Sequence, residues 1–229
     1  TNKIYVGGYE EFGYWKRGHS GKMSYHSLSD TLRGSYFHNE EIWRIRKYGG
    51  RIYFQSFTSV YVYNGKRIKR LTPKGVIVLL LKGRDKLFVH DIENGMLQVN
   101  KDSLKYLKGN GIIKDDEVKF MLPHKKSQYI MGAAQAGLLR YDGRKFRRWD
   151  IPAADKIRKA EVNVAIKLDS LYVIGTIVDG IFILNENGRL KFHLNTNNLL
   201  QNNTVLALEK DAQGNFWAGL DRGIDYVDM

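Results

Sequence analysis

Residues able to do chemistry recur in this sequence at one kind of place, the short turn between two apolar strands. Tyr9, Glu10, Glu11, Phe57, Glu93, Gln135, Asp179, Asp221 and Arg222 all occupy such turns. Aromatic planes stack on sugar rings, while carboxylates and amides hydrogen-bond hydroxyls. Tyr9, Phe57, Glu10 and Gln135 therefore suit an oligosaccharide, and Arg222 suits an acidic one. Paired carboxylates also cleave glycosidic bonds, so Glu10, Glu11, Asp179 and Asp221 raise a glycosidase or lyase alternative. No nucleophile and base pair up by spacing, and polar residues favour turns for backbone reasons alone. The expected face binds rather than catalyses, with no catalytic residues and no enzyme activity.

Other chemistries find less support. The six histidines, His19, His26, His38, His90, His124 and His193, are scattered singly with no ligand spacing, so neither a metal nor a cofactor is expected. No phosphate-cradling glycine motif occurs, and Gly49-Gly50 reads as a hairpin turn. Asp115-Asp116-Glu117 lacks calcium-loop spacing and reads as a solvated loop. The sequon Asn202-Asn203-Thr204 is given no role. Arg144-Lys145-Phe146-Arg147-Arg148-Trp149 and Lys66-Arg67-Ile68-Lys69-Arg70 interleave cations with apolar side chains, which raises a nucleic-acid or protein scaffold as a rival. The period of two is equally that of a half-buried edge strand, and no nucleic-acid partner is expected.

The chain has 229 residues, with 37 Lys and Arg against 24 Asp and Glu, a formal net charge of +13 that attracts anionic partners over long range. It has no Cys, so cysteine usage is silent about redox compartment. The longest apolar run, Val76 to Leu81, is far short of the roughly 18–20 residues of a membrane helix, so a membrane is reached only through segments outside this chain. The opening Thr1-Asn2-Lys3-Ile4 has no charged or apolar leader region, so any signal peptide is removed or lies elsewhere. Many Gly, Tyr and Phe with only 3 Pro point to an all-β chain.

The elements that must position these turns repeat about every forty residues, the period of one propeller blade. An apolar strand a, such as Val162-Asn163-Val164-Ala165-Ile166 or Ile42-Trp43-Arg44-Ile45, precedes a hairpin. Strand b follows, as in Leu171-Tyr172-Val173-Ile174-Gly175, then strand c, as in Gly180-Ile181-Phe182-Ile183-Leu184. A charged strand d closes the unit, and its Lys and Arg discourage strand addition by other molecules. The expected fold is a β-propeller with four-stranded antiparallel blades, incomplete or part of a longer one. Residues 1–229 form a single propeller region, with a partial blade at 3–29, blades at 41–73, 76–109, 117–150 and 162–195, and a partial blade at 204–229. Only Pro152 to Ala160 carries a helical hint, and it is short enough to be a loop. The pairs Ile4-Tyr5, Tyr53-Phe54, Phe88-Val89, Tyr172-Val173 and Phe216-Trp217 are expected to pack between adjacent blades.

Asn198 to Tyr226 resembles the two-component regulator propeller repeat (Reg_prop). The leucine and polar pair, the apolar strand, Asp211-Ala212-Gln213-Gly214-Asn215, the aromatic pair Phe216-Trp217, Ala218-Gly219 and the turn Asp221-Arg222-Gly223 all follow that pattern. A looser match runs through Tyr9 to Trp15 and Tyr25 to Ser29. The resemblance implies a periplasmic, ligand-sensing propeller of a hybrid two-component system or a one-chain transcriptional regulator. It further implies carbohydrate sensing in gut-dwelling Gram-negative bacteria, a triple-tyrosine domain following, and further blades in the full-length chain. Self-association of the open propeller is expected, because unpaired strand edges seek partners.

Overall fold

The computed structural model describes residues 3–32 and 37–229; the opening Thr1-Asn2 lies outside them. The protein is all-β, a propeller fold with six antiparallel meander sheets among the described residues. The first holds β1 (Lys3–Gly8), β2 (Glu11–Arg17) and β3 (Met23–Ser27). The second holds β4 (Arg44–Tyr48), β5 (Arg51–Gln55), β6 (Val60–Tyr63) and β7 (Ile68–Leu71), and the third β8 (Ile77–Lys82), β9 (Leu87–Asp91), β10 (Gly95–Asn100) and β11 (Ser103–Tyr106). The fourth is β12 (Val118–Pro123), β13 (Tyr129–Ala133), β14 (Gly137–Tyr141) and β15 (Phe146–Arg148). The fifth is β16 (Val162–Leu168), β17 (Leu171–Thr176), β18 (Ile181–Asn185) and β19 (Leu190–Leu194), and the sixth β20 (Val205–Lys210), β21 (Phe216–Leu220) and β22 (Ile224–Val227). Each strand pairs with its sequence neighbour, as a meander joined by short turns must.

Burial separates the strands by role. Strands β5, β6, β9, β13 and β17 are buried almost end to end, so both faces of the sheet are covered at its middle. Strands β7, β11, β15 and β19 carry the exposed charges of the outer edge. Gly49 and Gly50 turn β4 into β5 at φ 54 and 74, the left-handed geometry that side chains resist. Gly180 is forced in a different way, because a Cβ there would sit 2.1 Å from the Leu194 carbonyl oxygen.

The chain divides into two compact units, Thr1–Lys82 with Lys86–Tyr106, and Gly83–Asp85 with Leu107–Met229. In the first, Phe12 packs on Phe54 at 4.5 Å and Tyr61 at 5.4 Å, and a second cluster gathers Tyr53, Val62, Leu80 and Val89. In the second, Ile130, Trp149, Ile157, Tyr172 and Phe182 form one core, and Val173, Ile183, Leu208 and Phe216 another.

Three expectations change. Phe216 is buried, but Trp217 is 49% exposed and Ile4 61% exposed. Successive side chains of β21 face opposite ways, so Phe216 and Ala218 meet the fifth sheet while Trp217 turns to the open face and rests on Tyr226 at 4.7 Å. Pro152 to Ala160 is not a plain loop: α1 (Ala154–Lys159) forms there, anchored by the fully buried Ile157. Asp116 is not solvated. It is 5% exposed, and its carboxylate accepts the amides of Gln135 at 2.9 Å and Ala136 at 2.8 Å, closing the β13–β14 turn.

Asp91 closes the β9–β10 turn in the same manner. It accepts the Gly75 and Asn94 amides and, at 2.6 Å, the Tyr106 hydroxyl. Burial pushes the Asp91 carboxyl up, but the Tyr106, Asn94 and Gly75 hydrogen bonds together outweigh it and hold it below its ordinary 3.8. Burial, then the bond to Asp91, pushes Tyr106 from 10.0 up to about 12.

Phe216→Ala should cost about 3–5 kcal/mol in denaturant unfolding, and Trp217→Ala less than about 1 kcal/mol; equal losses would contradict the register of β21. The Asp91–Tyr106 bond gives a second test. A lowered acid contributes stability above its unfolded value that is lost as pH falls below 3.8. A raised phenol contributes stability below 10.0 that is lost as pH rises toward 12. Tyr106→Phe should lower Tm at neutral pH, and its gap from wild type should narrow in both limbs of a melting series across pH.

Candidate functional site

In a four-stranded meander the b–c turn and the connection leading to strand a lie at one end of the sheet. Backbone hydrogen bonds stitch the two together in each sheet or its follower. Glu10 N–H donates to Glu40 O at 2.8 Å, Ile77 to Phe57 O at 2.7 Å, Ile92 to Val76 O at 3.1 Å, Ala134 to Glu117 O at 2.9 Å, Ile177 to Glu161 O at 2.9 Å and Asp221 to Thr204 O at 3.0 Å. The candidate residues therefore sit on fixed turns rather than loose loops.

In the first unit, Tyr9 and Glu10 are brought together by Asn39. The Tyr9 hydroxyl donates to Asn39 Oδ1 at 2.9 Å, and the Asn39 amide donates to Glu10 Oε1 at 2.7 Å, with His38 Nδ1 2.8 Å from the same oxygen. Tyr9 keeps its ring 63% exposed. Glu11 turns inward: its Oε1 accepts the hydroxyls of Tyr25 at 2.7 Å, Ser27 at 2.8 Å and Ser29 at 2.8 Å. It serves the first sheet and not the turn surface. Glu93 is exposed, with its amide held by Asp91 at 3.1 Å.

Phe57 has a partner the sequence did not single out. Trp43 precedes β4 instead of lying within strand a, and its ring sits 5.0 Å from that of Phe57 at an interplanar angle of 50°. The two are 55% and 45% exposed. Both are fixed from behind, since Trp43 N–H donates to Gln55 O and Phe57 O accepts from Ile77. Polar groups stand next to them. Thr58 Oγ1 donates to the buried Glu40 carboxylate, and Arg70 Nε donates to Ser59 Oγ at 2.6 Å. The only sequence signal for Trp43 was a bulky aromatic immediately before a charged strand.

In the second unit, Gln135 is exposed on the turn that Asp116 closes. Asp179 gathers three residues that were not among the sequence's site candidates. His193 Nε2 lies 2.8 Å from the Asp179 carbonyl and 3.3 Å from its Oδ1, Lys156 Nζ lies 3.6 Å from Oδ2, and Asn195 Nδ2 donates to Oδ1 at 3.2 Å. His193 stacks on Phe182 at 4.2 Å, so this cluster knits α1, β18 and β19 together. Asp221 and Arg222 are exposed at the β21–β22 turn. The basic stretch at 144–149 offers no stacking platform, because Phe146 is buried against Tyr141 at 4.4 Å and Trp149 against Tyr172 at 5.7 Å. His124 is buried, donating to or accepting from the Tyr172 hydroxyl at 2.6 Å, and burial pushes its pKa down, so it is a packed neutral side chain.

No protein-family profile matches the chain, and no curated protein matches it. Solved structures do. The extracellular domain of the proposed hybrid two component system BT4673 from B. thetaiotaomicron aligns over 99% of this chain at 17% identity and TM-score 0.64, and this chain spans 31% of that one. The WD40 β-propeller domain of Doa1 aligns over 99% of this chain and 74% of its own at 12% identity and TM-score 0.68. Virginiamycin B lyase from Staphylococcus aureus aligns over 98% and 87% at 12% identity and TM-score 0.68. At such identities the likeness establishes a common fold, the β-propeller, shared by sensor domains and an enzyme alike.

Proposed function

We propose that this chain is the ligand-sensing region of an extracytoplasmic bacterial regulator of the two-component or one-chain kind, and that its ligand is an oligosaccharide held over Trp43 and Phe57. The observation that carries the reading is the exposed ring pair itself. Leaving two large aromatic rings in water forgoes hydrophobic burial, and paired exposed rings on a rigid backbone mark a surface that is covered by something flat and apolar on one face. A pyranose ring has such a face, and its hydroxyls find Thr58 and Arg70 beside the platform. The likeness to extracellular sensor domains supports the setting. Two of the four acids of the glycosidase alternative are engaged in structure, Glu11 with three hydroxyls and Glu10 with the Asn39 amide and His38, which supports binding over cleavage.

Trp43→Ala and Phe57→Ala should each weaken oligosaccharide binding by about tenfold, read by calorimetric titration against neutral and acidic oligosaccharides, with little change in Tm. Unchanged affinity in both variants would remove the platform from the site.

A further inference from the structure

The second unit contains a cavity of about 350 Å³ between the end of the fourth sheet and α1, lined by Arg148, Trp149, Asp150, Ile151, Asp155 and Arg158 among others. We infer that it is a binding site for a small ring-bearing carboxylate, separate from the Trp43–Phe57 platform.

Two arginines line this one cavity, and each has most of its donors to spare. A guanidinium carries five N–H groups. Among the described residues, Arg148 donates one from Nη1 to Ala136 O at 3.1 Å. Arg158 reaches only Asp155 Oδ1, at 3.5 Å, and that carboxylate is 87% exposed, so the pair holds the arginine weakly. Both side chains are nonetheless positioned. The Ala136 carbonyl fixes Arg148, and the Arg158 stem lies against Gly137, whose φ of 72 and lack of a side chain make room for it; a Cβ there would stand 2.9 Å from Arg158 Cβ. The Arg148 fork and the stem-anchored Arg158 fork, with donors left over, fit the planar, two-oxygen geometry of a carboxylate.

The lining also limits the ligand. Asp150 and Asp155 balance the two arginines, so the lining carries no net charge; an anion is favoured where its charge sits at one end and can be aimed at the arginines and away from the two aspartates, as in a ring with a single carboxylate. Leu138, Trp149 and Ile151 supply apolar wall for a ring. At about 350 Å³ the cavity lies at the small end of the roughly 300–1,000 Å³ common for ligand pockets, which suits one ring and not a chain of them.

Calorimetric titration of the whole chain with glucuronate, cyclohexanecarboxylate, glucose and inorganic phosphate tests this. Saturable binding of at least one of the two carboxylates is expected, with glucose and phosphate at least about tenfold weaker. Arg148→Gln and Arg158→Gln should each lower carboxylate affinity by about tenfold, and Arg158→Lys should not restore it, because an ammonium lacks the fork. Trp43→Ala should leave this binding unchanged, so a failed oligosaccharide titration and a failed carboxylate titration are separate results. Should Arg158→Gln melt early through its contact with Gly137, Arg148→Gln alone decides. Absence of saturable carboxylate binding, equal affinity for glucose or phosphate, or full affinity in Arg148→Gln would each overturn the inference.

Discussion

A four-stranded antiparallel meander has two apolar faces and cannot bury either by itself. Everything else in this protein answers that constraint. Strands β5 and β17 are buried along nearly their whole length because neighbouring sheets of the same compact unit cover them from both sides. Large aromatic rings fill the gaps, since the space between twisted sheets is wide and a ring covers it with few rotatable bonds: Phe12 against Phe54, and Trp149 edge-on to Tyr172. The same constraint explains Trp217. Its counterpart on β17, Val173, is buried because the sixth sheet lies over it, whereas the far face of β21 has no sheet against it among the described residues.

Stacked sheets leave the turns as the place where polar groups collect, and much of that polarity is spent on structure. Asp91 and Asp116 each gather backbone amides that strand pairing cannot satisfy, and Glu11 gathers hydroxyls. A carboxylate in a turn of this fold is thus first a clamp. What remains free for recognition is of another kind: rings held outward on a clamped backbone, as at Trp43 and Phe57, and guanidiniums with donors left over, as at Arg148 and Arg158. The two features lie in different compact units, each built on rigid strands that keep it in shape before any ligand arrives.

The sequence by itself determined the strands. Period-two alternation, glycine at the hairpins and the recurrence of an apolar, a glycine-flanked and a charged strand are local properties, and strand formation answers to local pattern. The all-β propeller class was legible for that reason, and so were the turns that carry Tyr9, Phe57, Gln135 and Asp179. Which face of a strand is covered, which acid is consumed by a neighbouring amide, and which residues from distant turns meet were decided only in three dimensions. Trp43 joins Phe57 because the entry to β4 and the β5–β6 turn share an end of the sheet. Asp116 is buried because the amides of Gln135 and Ala136, nineteen and twenty residues on, fold back to it. Arg148 and Arg158 line one cavity because the short helix α1, pinned by Ile157, turns the chain back onto the start of β14, where Arg158 rests on Gly137. Each of these depends on residues far apart in sequence, and spacing along a chain holds no record of such meetings.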